Sequence, residues 1–231
     1  MNIFEEVRKV EKRQISRAIK FIQNYAHRHR LNLTIKALHY AEMLHCNQKR
    51  KDSSDYLSHP VKVCLMLISC GIQDDAMLAA ALLHDVIEET KATHKDLKEW
   101  FTKEIADIVF VLSKKKRISA KNYFGAMSKN FKAVIIKAAD RMGNVGDMVD
   151  YYTPEKIRAY IWETEHYIYP LIEKSWHQHP KFTTILAFFH DYLNVVFRAD
   201  KKVLELFKKI AKLEDQNRKI KRRLDLCREK K

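Results

Sequence analysis

Glycine and proline are scarce, with four of each among 231 residues. Positive-φ turns and sharp breaks therefore have few places to sit, which argues against a hairpin-rich β protein. Ala, Leu, Lys, Glu and Ile are plentiful instead, and no segment alternates with the period of a strand. The expectation is an all-α fold. Long hydrophobic runs are missing as well. No window of 18 apolar residues occurs, so no transmembrane helix is expected. The opening "MNIFEEVRKVEKRQ" carries charge where a secretory signal needs an apolar core. Cys46, Cys64, Cys70 and Cys227 fall in no CxxC or zinc-finger spacing. They read as free thiols of a reducing compartment, and the expected location is the cytoplasm.

Acidic residues are outnumbered, 29 Asp/Glu against 44 Lys/Arg, for a formal charge of +15. Residues 198–231 hold 14 Lys/Arg and 6 Asp/Glu, a net of +8, which leaves +7 for the rest. Such an excess fits a solvated surface, or an anionic partner such as a polyphosphate, nucleic acid or lipid headgroups. In the same segment the apolar residues return with a heptad period. Val203, Ile210, Asn217 and Leu224 take position a, and Leu206, Leu213, Ile220 and Cys227 take position d. A single Asn at a is a device that fixes register in two-stranded coiled coils. Two readings stand: an amphipathic helix folded back on its own domain, or a coiled coil that makes a homodimer.

Helices are predicted over 3–29, 33–46, 60–69, 75–89, 94–112, 119–127 and 130–150. Pro60 suits a first helical position, Gly71 an end, and Asp74 with Asp75 an N-terminus. "NQKRKDSSDYLSHP" reads as a loop, as does "KKKR" at 114–117. Another helix starts at the Thr153 cap with Pro154 behind it, and Pro180 breaks the chain.

The chemistry-bearing residues sit in apolar surroundings. "AALLHDVIEET", residues 80–90, places His84 and Asp85 side by side, then Glu88 and Glu89. In one helix, His84 with Glu88 and Asp85 with Glu89 would share faces one turn apart. His84 and Asp85 could hold a metal while a carboxylate positions or deprotonates a water. Two ligands do not complete a site, which needs about three or four. Taken alone, the stretch also fits a satisfied core histidine with a solvated acidic edge. His59, before a helix, and Asp140, in "IIKAADRMGN", are the candidate partners. A carboxylate on so apolar a helix needs a counterion or a metal, and Arg141 is the simplest counterion.

Four blocks occur together in this order: H-x-x-Q-x-R-K from His45, Tyr-x-x-His-Pro from Tyr56, Ala-Leu-Leu-His-Asp followed by two acids, and Lys-x-x-Asp-Arg-x-x-Asn from Lys137. With "WETEHYIYPLIEK" they resemble the HD-domain metal-dependent phosphohydrolases, above all the Rel/Spo-type alarmone hydrolases, over about residues 33–175. The resemblance implies an all-α HD-domain bundle, taken over 1–197, and the charge and heptad pattern predict an extended basic C-terminal helix after it, over 198–231. It implies removal of the 3′-pyrophosphate from guanosine tetra- and pentaphosphate. His59, His84, Asp85 and Asp140 would hold a divalent ion, Mn2+ in the family. Glu88 and Glu89 would serve the hydrolytic water, and Arg50, Lys51, Asn144 and Asp147 would line the nucleotide site. The chain departs from the family pattern at Glu89, where Asp is usual, at Gly143, where His or Tyr is usual, and at Gly146, where Arg is common. Nothing resembling a synthetase domain follows, so a stand-alone hydrolase is expected. The alternatives are an HD-type phosphohydrolase of another nucleotide, such as a nucleotidase or a dinucleotide-cofactor phosphatase, and a non-catalytic nucleotide-binding module. Nucleic acid and membrane partners are not expected.

Overall fold

Asp74 and Asp75 begin the helix that the other elements surround. The Asp74 carboxylate accepts the Met77 N–H at 2.8 Å, an N-cap. Asp75 reaches sideways and caps a different helix, accepting Leu33 N–H at 3.0 Å, Thr34 N–H at 2.7 Å and the Thr34 hydroxyl at 2.7 Å. The computed structural model describes residues 3–50, 54–114, 117–146 and 148–228, with the backbone alone at 3–9, 11, 149, 150 and 223–228. In chain order the helices are α1 (Ile3–His29), α2 (Asn32–Leu44), α3 (Ser58–Ser69), α4 (Asp75–Leu83), α5 (Val86–Glu89), α6 (His94–Trp100) and α7 (Lys103–Leu112). There follow α8 (Ala120–Met127), α9 (Phe131–Val145), α10 (Met148–Tyr151), α11 (Pro154–Glu163), a π-helical turn (Thr164–Ile168), α12 (Tyr169–Gln178), a 3-10 turn (Pro180–Phe182) and α13 (Thr183–Arg228). Among the described residues there is no strand, only an isolated bridge between Lys49 and Asp55. The fold is all-α.

Every residue of α4 from Met77 to Leu83 is buried. A helix apolar on all sides belongs in the centre of a bundle, and α2, α3, α7 and α9 pack around it. A smaller second core joins Val145, Met148, Ile157 and Ile161 to Leu193, Phe197 and Leu204 of α13. The turn after α3 uses Gly71 at φ +83°, where a side chain would be strained.

Three predicted helices are in fact broken, the third of them, 130–150, ending at Val145 and resuming at Met148. The first, 75–89, stops at Leu83 and resumes at Val86. His84 Nδ1 sits 2.8 Å from the Ala81 carbonyl and takes an acceptor that the next turn of backbone would use. The second, 94–112, divides at Phe101. Thr102 caps the new helix by accepting Ile105 N–H, while Phe101 turns its ring edge to Tyr40 at 5.5 Å. The helix that begins at Thr153 widens into its π turn directly before Pro170, which has no N–H to continue an α ladder.

No helix of the described residues is long and apolar enough to cross a membrane. Cys46, Cys64 and Cys70 are free thiols, and burial pushes the Cys64 pKa up. The Cys227 side chain lies outside the described residues.

Candidate metal centre

The break at His84 and Asp85 turns both side chains toward residues from two other helices. His59 comes from the first turn of α3 and Asp140 from α9. His59 Nε2 lies 2.9 Å from Asp140 Oδ1 and 3.2 Å from His84 Nε2, and His84 Nε2 lies 3.7 Å from Asp140 Oδ1. The three residues are only 3–5% exposed. One ligand atom from each falls within 4.8 Å of the others. Asp85 stands beside this trio, with Oδ1 3.3 Å from His84 Nε2 and Oδ2 3.9 Å from His59 Nε2.

The donor set fits a divalent cation. The Ala81 carbonyl only accepts, so His84 Nδ1 carries the ring proton and Nε2 of the neutral ring presents a lone pair. That lone pair faces a second imidazole nitrogen and two carboxylates, and His59, His84 and Asp140 are almost fully buried. Such an arrangement holds together only around protons or a cation. Burial alone would depress the His84 pKa, but the Asp85 and Asp140 carboxylates override it and lift it to about 9. In His59 burial prevails over Asp140, and its pKa falls.

The carboxylates are also held by other polar side chains. Lys137 Nζ donates to Asp140 Oδ2 at 2.8 Å, and Asn144 Nδ2 donates to Asp140 Oδ1 at 2.6 Å. Burial opposes ionisation of Asp140, yet Lys137 and the two imidazoles hold its pKa well below the usual range. The Tyr56 hydroxyl donates to Asp85 Oδ2 at 2.9 Å. Its own ring stacks on His45 at 4.6 Å, and His45 Nδ1 pairs with Gln48 Oε1 at 2.8 Å. Gln48 in turn donates to the Glu89 carbonyl at 3.0 Å. This polar chain ties the loop after α2 to α5.

Arg141 is not the counterion of Asp140. Neighbouring residues on a helix diverge by about 100°, whereas Lys137, one turn back, lies on the same face. Arg141 instead donates to Glu163 Oε1 at 2.6 Å and stacks 3.8 Å over the Tyr160 ring. Glu163 Oε2 also accepts from Lys114 Nζ at 2.8 Å, and the Lys114 N–H donates to Glu88 Oε2 at 3.0 Å.

These groups open onto a cavity of about 610 Å³. His59, Asp85 and Asp140 form part of its wall, with Glu88 and Glu89 of α5 beside them. Burial, Asp85 and Glu88 all raise the Glu89 pKa. Arg50, Lys62, Lys114 and Lys156 supply positive charge around the opening. Arg50 Nη2 donates to Asn144 Oδ1 at 2.9 Å, so Asn144 links Arg50 to Asp140. Gly143 leaves the wall bare beside the centre, where a Cβ would come within 3.7 Å of His59.

Of the residues singled out in the sequence, His59, His84 and Asp140 converge, and Asp85 flanks them. Glu88, Glu89, Arg50 and Asn144 line the same cavity. Lys51 and Asp147 lie outside the described residues. Sequence reasoning gave no role to Tyr56, Lys114, Lys137 or Glu163. Tyr56 and Lys137 were visible as the first letters of two of the blocks, and Glu163 as the second letter of "WETEHYIYPLIEK"; Lys114 left no signal.

The chain is similar to several known proteins. The chain is 33% identical over 153 residues to a probable guanosine-3′,5′-bis(diphosphate) 3′-pyrophosphohydrolase of Synechocystis, covering 62% of this chain and 20% of that protein. It is 32% identical over 173 residues to the bifunctional (p)ppGpp synthase/hydrolase SpoT of Escherichia coli, covering 70% of this chain and 24% of that one. The match thus spans a fifth to a quarter of these curated relatives. A solved structure, described as a metazoan ortholog of SpoT that hydrolyzes ppGpp, superposes with a TM-score of 0.58 at 24% identity, over 72% of this chain and 94% of that one. That likeness supports the fold. The family model for the HD domain matches residues 37–172, which contain the whole cluster. The chain belongs to the HD domain family.

Proposed function

We propose that this chain is a metal-dependent phosphohydrolase that removes the 3′-pyrophosphate of guanosine tetra- and pentaphosphate. The observation that carries the reading is the buried His59–His84–Asp140 cluster opening into a cavity with a cationic rim. The relatives named as pyrophosphohydrolases favour a guanosine polyphosphate as the substrate.

His59, His84, Asp85 and Asp140 would hold one divalent ion, with Mn2+ the expected metal. When bound, such an ion lowers the pKa of water and offsets charge on phosphoryl oxygens. Glu88 is held by the Lys114 backbone N–H, and its other oxygen is left to orient the hydrolytic water. Glu89, made more basic by burial and its acidic neighbours, takes the proton that water loses. The water oxygen attacks the phosphorus joined to the 3′ oxygen. That P–O bond breaks, and the 3′ oxygen leaves as the ribose hydroxyl after gaining a proton. Pyrophosphate and the 5′ nucleotide are the products. The flat Arg50 guanidinium would stack on the base, while Lys51, Asn144 and Asp147 would border the sugar and phosphates. The rim lysines would pair with phosphate oxygens. The reaction is assigned to the cytoplasm, as part of the stringent response.

A second reading keeps the machinery and changes the nucleotide. Gly143 favours it, because the bare wall beside His59 admits a differently shaped sugar or phosphate. A panel of nucleotides with manganese separates the two. Release of pyrophosphate from guanosine tetraphosphate ahead of all others supports the alarmone. Release of orthophosphate from a nucleoside monophosphate, with the alarmone untouched, overturns it.

A further inference from the structure

The second core holds α13 to the body through Leu193, Phe197 and Leu204. Beyond Leu204 the helix runs on to Arg228, roughly 36 Å at 1.5 Å per residue. On this stretch Leu206, Ile210, Leu213 and Ile220 are 55, 51, 58 and 55% exposed. These positions are the heptad stripe, and the helix does not fold it back onto the body. The stripe also lies about half a turn round the helix from the face that packs on the body, so the body leaves it accessible. Repeated apolar side chains on one open face mark a surface that another molecule covers.

We propose that the occupant is a second copy of this chain, joined as a parallel, in-register two-stranded coiled coil over residues 203–227. In a parallel pair each a residue faces its own copy, so Asn217 meets Asn217 and the two amides satisfy each other. An antiparallel pair would set Asn217 against a d residue such as Ile220 and leave its amide unmatched. The flanking charges agree. Lys209 at g faces Glu214 at e of the other copy, and the symmetry supplies this pair twice. The last heptad opposes them, because Arg223 at g faces Arg228 at e. The arms also carry +8 each. Added salt therefore strengthens the association by screening this repulsion, whereas a helix bound to nucleic acid loses affinity steeply with salt.

The test is sedimentation of the full chain at about 0.15 and about 0.5 M salt, with Ile210→Asp/Leu213→Asp alongside. The expected mass is twice 27.4 kDa, with dissociation falling as salt rises. The double variant should sediment as a single chain with the thermal midpoint of the body unchanged. Mild oxidation reports the orientation, because a parallel pair brings the two Cys227 thiols together in one d layer. A disulfide-linked dimer should form in wild type and in Cys46→Ser, and be lost in Cys227→Ser. A single-chain mass for wild type up to roughly 100 µM overturns the proposal. So does a dimer that survives the double variant. A dimer abolished by the double variant but never linked through Cys227 overturns the parallel register. Binding of duplex DNA by the single chain, weakening steeply with salt, assigns the arm to nucleic acid instead.

Discussion

Asp140 is held at once by Lys137, Asn144 and His59, whereas the side chains from Leu206 to Ile220 on α13 stand in solvent. The two regions misplace opposite kinds of group. The first buries charge inside an apolar bundle, and the second exposes apolar surface on a charged arm. Burying an unpaired carboxylate costs several kcal/mol, so the centre is held in place by its own polar partners. Exposing a leucine costs far less, so the arm can wait for a partner from outside. The centre is therefore expected to be sensitive to single atoms, and the arm only to association.

The largest break in that contrast comes from Asp140→Asn. It removes one ligand charge and leaves the half-buried Lys137 opposite a neutral amide. Hydrolysis should fall by about a thousand-fold or more, several kcal/mol of transition-state stabilisation, in a product assay. Lys137→Met keeps every ligand but removes the group that aims Asp140. A loss of about 10–100-fold in metal affinity or rate is expected, measured by metal titration and initial rates.

Asp75→Ala touches neither region. It strips the N-terminus of α2 of its cap and should lower stability by about 1–2 kcal/mol in denaturant, with the rate per folded molecule unchanged. Glu163 gives a pH test. Burial pushes its pKa up, but Lys114 and Arg141 outweigh it and hold it below the usual value. Its contribution is therefore complete above the ordinary glutamate pKa and is lost as pH falls through the lowered one. Wild type should lose thermal stability over that acid window more steeply than Glu163→Gln. The smallest effect belongs to the arm. Leu213→Asp should leave the stability of the isolated body within about 0.5 kcal/mol, while Leu82→Asp in α4 should prevent folding.

The sequence made the two regions legible in different ways. Low glycine and proline content sufficed for the all-α class, and the ends at Asp74, Thr153 and Gly71 followed from residues that cap or turn locally. The breaks at His84 and Phe101 did not. Both depend on contacts between segments: the imidazole turned to the centre, and the ring packed on Tyr40. At the centre, His84 and Asp85 alone were equivocal, and only His59 and Asp140 from distant helices made them a donor set. Arg141 was misjudged because adjacency in sequence is divergence on a helix. Lys114 and Glu163 meet across 49 residues, a pairing that no local pattern encodes. The heptad stripe, by contrast, could be read letter by letter, because a coiled coil's rule is periodic along one chain.

The account depends most on the buried cluster holding a catalytic divalent ion. The direct measurement is pyrophosphate release from guanosine tetraphosphate by the full chain, after chelation and again after manganese is restored, with Asp140→Asn in parallel. Release that stops on chelation, returns with manganese and is absent from the variant is the expected result. Release that survives chelation, or a folded, manganese-loaded chain that leaves the nucleotide intact, would contradict the account.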